Sequence, residues 1–194
     1  RQSADPQWAK FRENARWTQG GVLFLTLHTV GSNNNLGRKP EADEEFAERN
    51  AADIAWLKDG FALAKRDGLK AIMVLTQANP YFENRWAPKF RETMRGTAPG
   101  DAPSGFSDLL TALEVEVIAF GKPVAFVHGD SHYFRVDQPL FSSAHGRLIE
   151  SFTRVEVFGS PNIHWVRAIV DPGSARVFTF QPELVRKNVV NHGF

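Results

Sequence analysis

Residues 121–134, Gly121-Lys122-Pro123-Val124-Ala125-Phe126-Val127-His128-Gly129-Asp130-Ser131-His132-Tyr133-Phe134, decide how this chain is read. The run Val124-Ala125-Phe126-Val127 is short, β-branched and aromatic, and it is bounded by Pro123 and Gly129, so it reads as a buried strand. His128, Asp130, Ser131 and His132 follow at once, which puts ionisable groups where the strand runs out. In open α/β sheets that carboxyl edge is where ligands bind. An imidazole and a carboxylate two positions apart suit zinc, iron or manganese. Gly-Asp-Ser is also ordinary turn chemistry. Two of only six histidines flank it here, which favours a site on a loop held by a rigid scaffold.

Working outward, Phe106, Leu109, Leu110, Leu113 and Val117 mark an amphipathic helix, with Ser104 or Ser107 as its cap and Gly121 past its end. Residues 69–76 carry Ala71-Ile72-Met73-Val74-Leu75, a second buried strand, and end in the polar Gln77-Ala78-Asn79-Pro80. Further upstream, Gly20-Gly21 releases the apolar run 22–27, another strand. It ends in His28-Thr29-Val30 and an asparagine-rich loop, Gly31-Ser32-Asn33-Asn34-Asn35. Those amides can bond backbone, phosphate or metal, and a plain turn is their commoner use. Pro40, the acids Glu41, Asp43, Glu44 and Glu45, the stripe Phe46, Ile54, Leu57 and Phe61, then Lys65, Arg66 and Gly68 predict a helix over 42–67 with its charges on a solvated face. Strand, long helix, strand predicts a crossover unit and at least part of a parallel sheet.

The remaining stretches are less regular. Residues 1–19 read as an irregular lead-in with one helical turn near Asp5-Pro6. Residues 81–104 mix Tyr81, Phe82, Trp86 and Phe90 with Lys89, Arg91 and Arg95, a lid over a site or a surface excursion. Downstream, three alternating runs, 152–158, 163–170 and 175–180, are joined by Gly159-Ser160-Pro161 and Asp171-Pro172-Gly173 and read as a meander. His164 lies within one of them, facing solvent or satisfied in place, and residues 181–194 read as frayed.

The 194 residues suffice for one domain spanning 1–194. The 42% hydrophobic and 23% charged residues are those of a globular protein, and a net charge of +1 gives no field for nucleic acid or an anionic membrane. No apolar run reaches the length of a membrane span. There is no cysteine, so any metal site uses His, Asp, Asn, Glu or Gln.

Taken together, His128-Gly129-Asp130-Ser131-His132, Phe158-Gly159-Ser160-Pro161 and the strand ending Ile169-Val170-Asp171-Pro172 resemble the C-terminal half of calcineurin-like metallophosphoesterases. With Gly-Ser-Asn-Asn-Asn and Gln-Ala-Asn-Pro, the set is similar to a bacterial, generally exported branch of that superfamily. The resemblance implies an α/β (α+β) fold: a mixed β-sandwich flanked by helices, with a two-metal site at the carboxyl edges. It implies hydrolysis of a phosphomonoester or phosphodiester by two divalent ions, manganese, iron, zinc or magnesium, that polarise the substrate and activate a hydroxide. It implies Asp130 and His132 as ligands to the two metals, both aimed inward at a shared cation, Gln77 or Asn79 as a further ligand, and His128 as a donor to metal or substrate. The oxygen-rich set favours harder ions. It also implies a small phosphoester substrate and an extracytoplasmic location. The family's early motifs, Asp-x-His, Gly-Asp and Gly-Asn-His, are not in the chain, so the expectation is a C-terminal portion that does not hydrolyse phosphoesters by itself. Two alternatives stand beside this reading. One is a serine esterase built on Gly129-Asp130-Ser131 with His164 or His132 as base; the other is a non-catalytic metal- or ligand-binding module.

Overall fold

The computed structural model describes residues 1–82, 104–132 and 134–189. Its centre is a six-stranded mixed sheet in the order β1-β2-β3-β4-β8-β5. The strands are β1 (Arg16–Gln19), β2 (Val22–Thr26), β3 (Ala71–Leu75), β4 (Val124–His128), β5 (Arg135–Asp137) and β8 (Phe152–Glu156). β2, β3, β4 and β8 run parallel, while β1 and β5 close the two edges antiparallel. Two small ladders complete the strands: β6 (Phe141–Ser142) with β7 (Arg147–Leu148), and β9 (Trp165–Val170) with β10 (Phe178–Glu183).

The crossovers follow the predicted unit. β2 leads through α1 (Pro40–Arg66) to its neighbour β3, and β3 leads through α2 (Ser107–Phe120) to its neighbour β4. Each step moves the same way along the sheet, so right-handed crossovers place both helices on one face. There Leu57 and Phe61 of α1 and Leu109, Leu110 and Leu113 of α2 share one buried cluster with Leu23, Leu25, Ile72, Val74, Val124, Phe126 and Phe152. Each such side chain stabilises the fold by roughly 1.5–3 kcal/mol relative to its exposed state. The second face carries a smaller cluster in which Val170, Val177 and Phe178 of the β9–β10 ribbon cover Val22, Phe24 and Ala71.

Helix ends obey local chemistry. Pro40 opens α1 with Glu41 and Asp43 in its first turn, and Lys65 and Arg66 sit in its last. Leu69 N donates to Ala64 O and Gly68 N to Lys65 O, the paired bonds of a Schellman close, with Gly68 at φ +65°. α2 stops at the left-handed Gly121, as expected. Its first residue is Ser107, but Phe106 occupies the cap position, and Ser104 Oγ instead accepts from Phe106 N.

Several expectations change. The lead-in 1–19 holds two short 3-10 turns, Gln2–Ala4 and Pro6–Trp8, and then β1, which returns on β2 across Gly20-Gly21. Run 152–158 is not the first strand of a meander: Phe152–Glu156 enters the main sheet parallel to β4, and the ribbon comprises only β9 and β10. The fold is mixed α/β, and among the described residues it has one large sheet rather than two facing sheets of a sandwich. Apart from its ends, the stretch 81–104 lies outside the described residues. Among them no helix is long and apolar enough to cross a membrane.

Candidate functional site at the carboxyl edge

The parallel ladder continues past the formal strand ends and brings four exit loops into step. Leu27 N donates to Leu75 O, Thr76 N to Val127 O, Gly129 N to Gln77 O and Val157 N to His128 O. The loops after β2, β3, β4 and β8 therefore leave the sheet side by side. Of the eight non-glycine residues with left-handed φ among the described residues, seven lie on these loops: Ser32, Asn33, Asn34, Asn35, Tyr81, Asp130 and His132. Left-handed backbone is disfavoured for side-chain-bearing residues and persists where surroundings enforce it, commonly at functional sites.

Asp130 sits at φ +82° and turns its carboxylate toward the β2 and β3 exits. Its Oδ2 accepts from Asn79 N at 3.2 Å, and its Oδ1 lies against the α-carbon of Gly31. Gln77 Oε1 accepts from Gly31 N at 2.9 Å, so Gln77, Asn79 and Asp130 meet around one glycine. Asn79 is buried and fully engaged: its Nδ2 donates to Ser131 Oγ at 2.8 Å and its Oδ1 accepts from Tyr81 N at 2.9 Å.

His132, at φ +68°, goes the other way. Its ring lies over Gly159 in the loop after β8, and Nδ1 is 2.8 Å from Ser160 O. A carbonyl only accepts, so Nδ1 carries the proton and a neutral ring presents Nε2 as a lone pair. Among the described residues, neither Asp130 Oδ1 nor His132 Nε2 has a hydrogen-bond partner.

His128 does not join the edge. Its ring is only 1% exposed and packs near Phe82 and Phe126. Burial holds its pKa below the ordinary imidazole value, opposed by the Gly129 carbonyl bond and by Glu156. Nδ1 lies 2.9 Å from Gly129 O, which leaves Nε2 buried without a partner. His128 heads a row that composition did not single out. On one face of β4, β8 and β5, His128, Glu156 and Arg135 are register partners, and Phe126, Arg154 and Asp137 form the row behind. Arg135 Nη2 donates to Glu156 Oε2 at 2.6 Å, and Arg154 makes a two-bond fork to Asp137. Arg154 and Glu156 share the parity of Phe152 along their strand, and that periodicity was the signal for their burial.

The asparagine-rich loop is anchored from behind. Arg49 of α1, 2% exposed, donates to His28 O, Asn34 O, Asn34 Oδ1 and Glu45. Asn33 Oδ1 accepts from Gly105 N and Asn34 Nδ2 donates to Gly105 O, stapling the loop to the start of α2. The asparagines thus serve the turn. Asp53, one helical turn after Arg49, is fully buried under the lead-in, where Asn14 Nδ2 and His28 N donate to its Oδ1 and Gln2 closes the network. Burial pushes the Asp53 carboxyl up to about 6, against Asn14, Arg49 and His28. The charges of α1 are therefore not all on a solvated face. Arg49 and Asp53 lie on the stripe that continues through Leu57, and they are buried because the exit loop and lead-in pair with them.

Two divalent ions are implied by the family resemblance. The free Asp130 Oδ1 and His132 Nε2 are suitable donor atoms, and they face different sides. Among the described residues no three His, Cys, Asp or Glu side chains gather where one ion could sit. Each of these donors stands alone, Gln77 Oε1 and both polar side-chain atoms of Asn79 are already hydrogen-bonded, and the expected shared cation between Asp130 and His132 has no ligand set among the described residues. The serine-esterase arrangement is not formed: Ser131 Oγ is bonded to Asn79, His132 is turned to Ser160, and His164 Nδ1 accepts from Val185 N. Comparison with protein families, with curated proteins and with solved structures finds no match for this chain.

Proposed function

We propose that this chain is a metallophosphoesterase-type domain whose carboxyl edge takes up divalent ions and a small phosphoester, with Asp130 and His132 each offering one donor from opposite sides rather than meeting at the shared cation expected of them. The observation that supports this most is the concentration of left-handed backbone in the exit loops, with both residues held in that conformation at the strand end. Bound ions of this kind polarise a phosphoryl oxygen and generate a nucleophile from water. The chain's own residues act around that chemistry. Asn79 N–H fixes one carboxylate oxygen of Asp130 and leaves the other available. The Ser160 carbonyl fixes the tautomer of His132 and leaves Nε2 as the nitrogen with the lone pair. Gln77 holds Gly31, and with it the β2 exit, beside the carboxylate.

Calorimetric titration of the chain with manganese, alone and after Asp130→Asn or His132→Ala, tests this reading. Uptake that weakens in each variant supports it, as does chelator-sensitive hydrolysis of nitrophenyl phosphate or its diester. A wild-type chain that takes up no manganese, zinc or iron sinks it. The second reading, a binding module without catalysis, is favoured by the lack of a three-donor cluster among the described residues.

A further inference from the structure

Asp130 and His132 rest on glycines that belong to neighbouring strands' exit loops. A Cβ on Gly31 would stand 2.9 Å from Asp130 Oδ1, and a Cβ on Gly159 would stand 2.6 Å from the Cγ and Cδ2 of His132. Real Cβ contacts do not come this close, so in each case the facing group has to move. Neither glycine has left-handed φ, so backbone freedom does not explain them. Space does.

We propose that Gly31 and Gly159 are positioning residues: they form the two bare surfaces that let the Asp130 carboxylate and the His132 imidazole settle on opposite sides of the β4 exit. The proposal rests on the functional reading above as far as ion binding is concerned. The placement itself does not depend on it. At Gly31 the obstructed atom is the far end of a rotatable side chain, so an added methyl is absorbed by displacing the carboxylate from Asn79 N–H. At Gly159 the ring is obstructed along its base, where His132 Cβ also comes to 3.0 Å, so the ring must leave Ser160 O. Both donors would then remain in the chain but lie off their lines.

The test uses Gly31→Ala and Gly159→Ala in the intact chain, with two readouts. In the ion-free protein, nitrogen NMR of His132 should show the Nδ1–H form giving way in Gly159→Ala. The Asn79 amide and the Asp130 carboxyl carbon should shift in Gly31→Ala. In manganese titration each variant should bind about tenfold or more weakly, as supporting-residue changes at metal sites do. In a His132→Ala background, Gly159→Ala should be silent, which separates ring displacement from general misfolding. Unchanged His132, Asn79 and Asp130 signals in both variants overturn the proposal, as does a Gly159→Ala effect that persists without the imidazole. No manganese uptake by the wild type removes the ion-binding reading alone and leaves the spectra to decide the role of the glycines.

Discussion

Replacing Asp53 by Asn isolates a pH-dependent contribution to stability whose sign and size follow from its burial. The folded protein raises this carboxyl from the usual 3.8 to about 6, chiefly by desolvation. Folded protein therefore holds the proton more tightly than the unfolded chain does. The associated stability is fully present below pH 3.8 and is lost as pH rises through about 6. The interval is roughly two pH units, and at about 1.36 kcal/mol each this amounts to about 3 kcal/mol. The residue is deep enough in the fold that solvent screening does not reduce the figure much. Urea unfolding of wild type and Asp53→Asn, measured from about pH 4 to about pH 7, gives the difference directly. Wild type minus variant should fall by most of that 3 kcal/mol across the range. His128 acts in the opposite sense, because a buried imidazole with a lowered pKa costs stability as pH falls, but both proteins carry it and the subtraction cancels it. A difference that stays flat, or grows with pH, refutes the reasoning.

Other outcomes follow from the same contacts. Arg49→Met removes every donor that Arg49 gives to His28 O and Asn34, and should cost about 3–5 kcal/mol in urea unfolding, with the Asp53 titration moving still higher. Gly105→Ala places a methyl on the Asn33 carbonyl and should cost about 1–3 kcal/mol by thermal or urea unfolding, with faster amide exchange at Leu36, whose N–H bonds Asn33 O. Glu156→Leu, which takes the carboxylate from Arg135 and His128, should destabilise by about 3–5 kcal/mol, and Glu156→Gln by less than half of that. Equal losses in the two Glu156 variants would show that shape, and not charge, sets the cost.

Much of the scaffold was legible because its signals are local. The apolar runs of β2, β3 and β4, the stripe of α1 and the glycines past α1 and α2 sit within a few residues of their predicted places. β1 was not legible, since Arg16-Trp17-Thr18-Gln19 has no apolar face and owes its pairing to the Gly20-Gly21 reversal. β8 was misplaced because alternation announces a strand without naming its partner, and its partner β4 lies more than twenty residues upstream. At the site, the sequence put Asp130, Ser131 and His132 directly after β4, where the structure has them. It could not say that left-handed backbone at two alternate positions sends Asp130 and His132 to opposite sides, or that His128 points inward. The directions of Asp130 and His132 depend on Gly31 and Gly159, which come from distant loops.

The charged rows across β4, β8 and β5 have a further consequence for how the edge strand finds its place. In the observed pairing Arg135 faces Glu156 and Asp137 faces Arg154. Sliding β5 by two residues in one direction would set Asp137 against Glu156, and in the other direction Arg135 against Arg154. A slide by one would turn Val136 into the charged layer and both charges of β5 out of it. Every neighbouring alignment thus meets like-charge repulsion or an abandoned ion, so three short residues of strand specify a single docking position through electrostatic misfit with all the others.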